Sequence, residues 1–208
     1  KHPVIALLPF VVAIVFCAYY IYFDFYVDNN GVKYFKKDSE LVISTNALNN
    51  KLSGSDVLNI VFKTTNPNES FRSIKNLKII DTIQSFVNNQ AIVGKTLSIT
   101  DLVKRMNYVM NDNKPDEFRI PNEIILKKKE TKIDTILGNN QVAQYLFLYE
   151  NNGGKDLNNF VDFDYRQANL ELIIKSNSSN DVKLLIAKIN NYIQSLSLKD
   201  VNVYITGL

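Results

Sequence analysis

The N-terminal stretch from Pro3 to Phe23 carries no formal charge over about 21 residues, and Asp24 and Asp28 follow it at once. A run of about 18 or more apolar residues is long enough to cross the ~30 Å hydrocarbon core of a bilayer as a helix. The sequence therefore predicts a transmembrane helix within residues 1–26. About 180 residues with the mixed composition of a folded domain follow it.

A cleaved signal peptide is the alternative for this stretch. A secretory apolar region spans ~7–15 residues and ends at a small-residue cleavage site. This run is longer and ends in aromatic residues, namely Tyr19, Tyr20, Tyr22, Phe23, Phe25 and Tyr26. Aromatic rings favour the membrane–water boundary, so we prefer a retained helix. Lys1 before the run and acidic residues after it favour a cytoplasmic N-terminus, which puts the residues after about 27 on the extracytoplasmic side.

Charge and residue usage exclude several classes of protein. The net charge of +3 comes from well-mixed Lys, Asp and Glu, which does not suit a nucleic-acid binder. Cys17 is the only cysteine and His2 the only histidine, so a disulfide within the chain, a cysteine-based metal site and a histidine-dependent triad are excluded. We expect no catalytic residue, no metal and no cofactor.

Four segments alternate apolar and polar residues with the period of a strand that has one wet face. Two amphipathic helices lie between them in the order β-α-β, interruption, β-α-β. The predicted strands are Val57–Lys63, Ile92–Ser98, Gln167–Lys175 and Val201–Thr206, and the predicted helices are Phe71–Asn88 and Ser179–Leu196. Over the second strand and the residue that follows it, Val93, Lys95, Leu97 and Ile99 are expected in one row. The pattern predicts an α+β fold, a split β-α-β pair of the ferredoxin-like kind, with a four-stranded sheet and both helices on one face.

The interruption, residues 100–159, is predicted to be a helical insert. Asp101–Asn111 is amphipathic, Glu123–Leu137 is helical but rich in lysine, and Gln141–Glu150 is apolar nearly all round. A helix that is apolar on every side is buried or lines an apolar space. We therefore consider a cleft for hydrophobic molecules lined by Met106, Met110, Tyr145 and Leu148, since methionine suits surfaces that accept varied apolar partners. The alternative is that these residues are ordinary core.

Two charged motifs have simpler interpretations. Asp162 and Asp164 beside Arg166 are more typical of a solvated entry into a strand than of a calcium site. Residues 127–129 are three lysines, which we interpret as the exposed face of a helix rather than a site for anionic head groups.

In order and spacing, several segments resemble the first extracytoplasmic loop of the RND superfamily, in its branch of exporters related to the MMPL and hopanoid transporters. Lys1-His2-Pro3 opening an apolar run is similar to the family's first transmembrane helix. The other matching segments are Val27-Asp28-Asn29, Tyr34 to Ser39, Gly54 before the first strand, Ser98, Asp101, Met106-Asn107, Pro115, Ile120-Pro121, Gln144-Tyr145-Leu146 and Asp164 to Ala168.

The resemblance implies a porter domain of a proton-motive-force-driven exporter in a bacterial inner membrane. It divides the chain into a transmembrane helix (1–26), a connector with a short helix (27–54) and the porter domain (55–208, with units 55–99, 100–159 and 160–207). The implied partners are lipids or other hydrophobic molecules, the membrane, further transmembrane helices and a second porter loop of the same protein, and a homo-oligomer. The chain does not begin with Met, so we expect it to be part of a longer protein.

Two other functions remain open at this point. The first is a membrane-anchored sensor or ligand-binding module with an external α/β domain. The second is an enzyme, which is disfavoured because the sequence shows no nucleophile–base pair.

Overall fold

A computed structural model describes the backbone of residues 3–23, 28–122, 125–126 and 135–207, and the side chains of residues 9–23, 28–122 and 138–207. The helices are α1 (Pro3–Phe23), α2 (Glu40–Lys51), α3 (Ile74–Asn88), α4 (Ile99–Met110), α5 (Leu137–Asn151) and α6 (Ser179–Ser195). The strands are β1 (Asp56–Thr64), β2 (Val93–Ser98), β3 (Ile125–Leu126), β4 (Thr135–Ile136), β5 (Gln167–Ile174) and β6 (Val201–Thr206).

The centre of the molecule is a four-stranded sheet of order β2-β5-β1-β6. Every neighbouring pair in it is antiparallel. Helix α3 connects β1 to β2, and α6 connects β5 to β6, which is the connectivity of a split β-α-β pair. The central pairing of β1 with β5 places Leu58 opposite Leu172 and Ile60 opposite Leu170.

One face of the sheet forms the core with helices α3 and α6. Alternate residues of the two central strands point into it, because strand side chains alternate between faces. The buried strand residues are Leu58, Ile60, Phe62, Ala168, Leu170, Leu172 and Ile174, and the buried helix residues are Ile74, Leu77, Ile80, Ile83, Val87, Val182, Leu185 and Ile189. Phe86 of α3 stacks on Tyr192 of α6 with ring centroids 3.9 Å apart.

Strand β2 differs from its prediction in the residues that face the core. Its register on β5 shifts between Val93 and Lys95, so Val93 and Thr96 are buried while Lys95 is exposed. Gly94 lies at the shift, where a Cβ atom would be 1.6 Å from the carbonyl oxygen of Ser53. An extra residue at a bulge moves the following side chains to the opposite face, so the predicted row from Val93 to Ile99 is wrong.

The insert also differs from its prediction, which placed a helix over Glu123–Leu137. Ile125–Leu126 and Thr135–Ile136 instead pair as the short antiparallel strands β3 and β4. Three of these four residues are β-branched, which favours extended backbone. Residues 127–134, including the three lysines, lie outside the described residues.

The first helix requires a further correction. Helix α1 runs from Pro3 to Phe23, but among the described residues no helix is long and apolar enough to cross a membrane. The prediction of a transmembrane helix at residues 1–26 is therefore wrong.

Candidate functional site

Helix α4 of the insert begins directly at the end of β2. Ser98 is the N-cap, and its hydroxyl and the Asp101 carboxylate complete a capping box. Gln84 of α3 reaches the same point, where its Oε1 accepts hydrogen bonds from Ser98 Oγ at 2.7 Å and Thr100 Oγ1 at 2.8 Å. Ser98, Thr100 and Gln84 are buried. Since buried polar groups are stable only when they are bonded, this network fixes where the insert leaves the sheet.

A second polar cluster joins α4 to α5. The Tyr145 hydroxyl donates to Asn107 Oδ1 at 3.1 Å, and Asn107 Nδ2 donates to the Glu117 carbonyl at 2.8 Å. Glu117 belongs to a short 3-10 helix, Pro115–Glu117. A hydrogen bond from Arg119 is the main cause that lowers the pKa of the Glu117 carboxyl below its usual value. The two helices and the short turn are thus held in one arrangement.

The four residues proposed from sequence for a hydrophobic cleft fall into two groups. Tyr145 is buried and belongs to the polar cluster, while Met106 is half-buried. Met110 and Leu148 are 52% and 37% exposed. None of the four residues lines any of the four surface cavities described below.

Several apolar side chains of the insert face solvent. They are Val109, Met110, Phe118, Phe147 and Leu148, and we call them the insert surface. Helix α5 buries Val142, Tyr145 and Leu146 on its other side, so its all-round apolar sequence serves both a core face and an exposed face. Scattered exposed apolar residues are normal on a protein surface, and the described part of the insert exposes these five.

A cluster of side chains around Tyr165 was not predicted from the sequence. Tyr165 is buried and has a φ of 56°, which is uncommon for a residue other than glycine. Its hydroxyl donates to Glu150 Oε1 at 2.6 Å, and the Arg72 guanidinium lies 4.0 Å from its ring centroid. Burial, followed by the hydrogen bond to Glu150, raises the pKa of the Tyr165 phenol. The cluster ties α5 to the segment before β5, and only the structure brings its members together.

The acidic motif before β5 has a structural role. Asp162 Oδ1 accepts hydrogen bonds from the backbone N–H groups of Arg166 and Gln167 at 2.7 and 2.9 Å. Within the described part of the chain, no group of three or more His, Cys, Asp or Glu side chains is placed to hold a metal ion. The carboxylate therefore stabilises the turn that leads into β5.

Four cavities lie at the surface of the domain. The first, of about 350 Å³, is beside Arg72 and also includes Glu69 and Lys75. The second and third, of about 220 and 170 Å³, include Asp162 and Asp181 respectively. The fourth, of about 300 Å³, lies between the turn that follows α1 and helix α2. We call it the connector pocket, and it is lined by Asn30, Val32, Lys33, Phe35, Lys37, Val42, Asn46 and Asn177.

Comparisons with known proteins add no family to this description. No protein-family model matches the chain, and no curated protein matches it. The proposed function therefore rests on the geometry of the domain and on residue patterns in the sequence.

Proposed function

We propose that this chain is the extracytoplasmic porter domain of an RND-type exporter and that the insert surface contacts lipids or other hydrophobic molecules during export. The single observation that carries the proposal is the exposure of Met110 and Leu148 on an insert whose helices are hydrogen-bonded to each other and, through Ser98, to α3. A rigid support with a flexible, polarizable apolar side chain such as methionine suits recognition of varied apolar partners.

The domain would position the transported molecule rather than supply energy. Exporters of this kind use the proton gradient, and the proton-relaying carboxylates would have to come from membrane-embedded parts outside residues 1–208. The role left for this domain is contact with the substrate, which suits an exposed apolar surface on a stable α+β support.

A matched set of substitutions in the complete exporter tests the proposal. Met110→Asp and Leu148→Asp each place a charge on the insert surface, while Leu184→Asp places the same charge on α6, where Leu184 is 57% exposed. Export of a fluorescent hydrophobic compound is measured in cells, and the amount of protein in the membrane is measured by immunoblotting. We expect export to fall at least about tenfold in the two insert variants, because desolvating a carboxylate beside an apolar molecule is strongly unfavourable.

The control defines what would contradict the proposal. Leu184→Asp is expected to leave export near the wild-type rate. If all three variants export normally at equal protein amounts, the insert surface does not contact the substrate. If all three lose export equally, the loss is not specific to the insert and the proposal is also wrong.

A further inference from the structure

The lining of the connector pocket distinguishes it from the other three cavities. The first three each include a carboxylate, from Glu69, Asp162 or Asp181. Among the described residues, the connector pocket is lined by two lysines, Lys33 and Lys37, and by no carboxylate. Lys33 is paired with Asp28, which lies outside the lining, so the positive charge of Lys37 is the one that favours an anionic ligand.

Three of the lining residues, Lys33, Lys37 and Asn30, have donor groups that the described protein acceptors use only in part. Lys33 Nζ contacts Asp28 Oδ2 at 3.1 Å, which uses one of its three donor positions. Asn30 Oδ1 already accepts the Val32 N–H, and the Asn30 amide N–H groups have no acceptor among the described residues. Among the described residues, no carboxylate lies within 4.0 Å of Lys37 Nζ. An acceptor-rich group such as a phosphate would satisfy these donors.

The pocket is held in place by contacts behind it. Asp28 Oδ1 accepts a hydrogen bond from Ser178 Oγ at 2.6 Å, and the Asn29 N–H donates to Ser179 Oγ at 2.9 Å. Asn177, in the wall, donates from Nδ2 to Asp56 Oδ2 at 2.9 Å. The first two bonds join the turn after α1 to the start of α6, and the third joins Asn177 to the start of β1. The backbone that carries the donors is therefore held in place before a ligand arrives, which lowers the entropy lost on binding.

Three apolar side chains also line the pocket. Val42 is buried, Val32 is half-buried and Phe35 is 52% exposed. A fully hydrated anion gains nothing from these side chains, whereas a ligand with an anionic head and an apolar chain covers them and removes apolar area from water. A volume of about 300 Å³ is at the small end of the range for ligand sites, which fits a head group with the first carbons of a chain.

We propose that the connector pocket binds a phosphate-bearing amphiphile, with the phosphate against Lys33, Lys37 and Asn30 and the apolar chain on Val32, Phe35 and Val42. The site is separate from the insert surface and does not depend on the exporter proposal. A lipid head group and a free phosphate share the same anionic chemistry, so the experiment compares them directly.

Calorimetric titration of the purified chain with three probes tests the assignment. The probes are dihexanoyl phosphatidic acid below its micelle concentration, glycerol 3-phosphate and inorganic phosphate. We expect the phosphatidic acid to bind at least about tenfold more tightly than the other two, because a few buried CH₂ groups supply that difference. Phe35→Ala is expected to remove most of this preference and to leave binding of inorganic phosphate unchanged.

Adjacent lysines provide the matched control. Lys37 lines the pocket and Lys36 does not, and both side chains are exposed, so substitution at either is compatible with folding. Lys37→Glu is expected to weaken phosphatidic acid binding about tenfold or more, and Lys36→Glu by less than about twofold, because only the first removes a charge-assisted contact.

Three results would overturn the proposal. Equal weakening by Lys36→Glu and Lys37→Glu would show diffuse attraction to a basic segment rather than a site. Equal affinity for phosphatidic acid and glycerol 3-phosphate would show a simple phosphate site without an apolar part. Absence of binding by all three probes, with a native circular dichroism spectrum, would remove the site altogether.

Discussion

Replacing Leu172 by alanine tests the arrangement of the central sheet. Leu172 is fully buried in β5 and lies opposite Leu58 of β1 and Thr96 of β2. Truncating a fully buried leucine costs about 2–5 kcal/mol, through the lost transfer free energy and the cavity that remains. Leu172 has neighbouring strands on both sides and a helix layer above it. The surrounding side chains therefore have little freedom to move into the cavity that the substitution leaves. We therefore expect the upper half of that range, about 3–5 kcal/mol.

The adjacent residue serves as the control because its side chain lies on the opposite face. Ile173 is only half-buried and pairs with Val57 and Lys95. Ile173→Ala removes a similar number of carbon atoms, and we expect a loss of about 1 kcal/mol, since much of that side chain is already in contact with water.

Urea denaturation followed by circular dichroism measures both variants. At an unchanged dependence on urea concentration, a difference in midpoint reports a difference in the free energy of unfolding. A loss of about 3 kcal/mol corresponds to a fall in Tm of roughly 6–12 °C for a domain of this size. Equal losses in the two variants, or a larger loss for Ile173→Ala, would refute the assignment of the faces and with it the register of β5.

Further predictions concern the polar clusters and the absence of catalysis. Ser98→Ala removes the cap of α4 and one donor to Gln84 Oε1, so we expect a loss of about 1–2 kcal/mol in urea denaturation against almost none for the exposed Ser44→Ala. Folding raises the pKa of Tyr165, so the native state keeps a proton that the unfolded state loses above pH ~10. The contribution of Tyr165 to the free energy of unfolding is fully present below that pH. Above it, this contribution falls by at most about 1.4 kcal/mol per pH unit. The decline measured by urea denaturation at pH 10–11 should be shallower in Tyr165→Phe, and equal slopes would contradict the raised pKa. Finally, we expect the purified chain to show no turnover of ester, amide or phosphate substrates, and an activity abolished by one Asp or Tyr substitution would contradict this.

The sheet and its helices were predictable because their patterns are local. Alternation in β1 and β5 identifies Leu58 and Leu172 as core residues, and helical spacing identifies Ile80 and Leu185. These signals need only the period of side chains on one element. The observed strands and crossover helices begin and end within a few residues of the predicted segments.

Features that depend on distant contacts were not predictable in this way. At the bulge, Gly94 lies against the backbone of Ser53, and this contact joins segments about 40 residues apart in sequence. The cluster of Arg72, Glu150 and Tyr165 joins three separate segments of the chain. Tyr165 also has a left-handed backbone conformation. Because tyrosine rarely adopts this conformation, the residue type alone does not predict it.

The residues of the proposed hydrophobic site were also predictable only in part. Sequence identified an excess of apolar residues in the insert, but it did not separate Tyr145, which the Asn107 contact holds in the interior, from Met110 and Leu148, which are exposed. An apolar composition predicts that side chains tend to be buried, but tertiary packing determines which of them are buried.

Photolabelling with a neutral alkyl diazirine tests the central claim most directly. The probe is apolar and uncharged, so it samples hydrophobic contact without attraction to the lysines of the connector pocket. After illumination, labelled peptides are identified by mass spectrometry, with labelling at Leu184 and Tyr204, which are 57% and 53% exposed, as the internal reference. We expect labelling to be concentrated at Met110 and Leu148 and to be suppressed by an excess of unlabelled hydrophobic competitor. Labelling no greater at these residues than at Leu184 and Tyr204 would contradict the claim that the insert surface binds hydrophobic molecules.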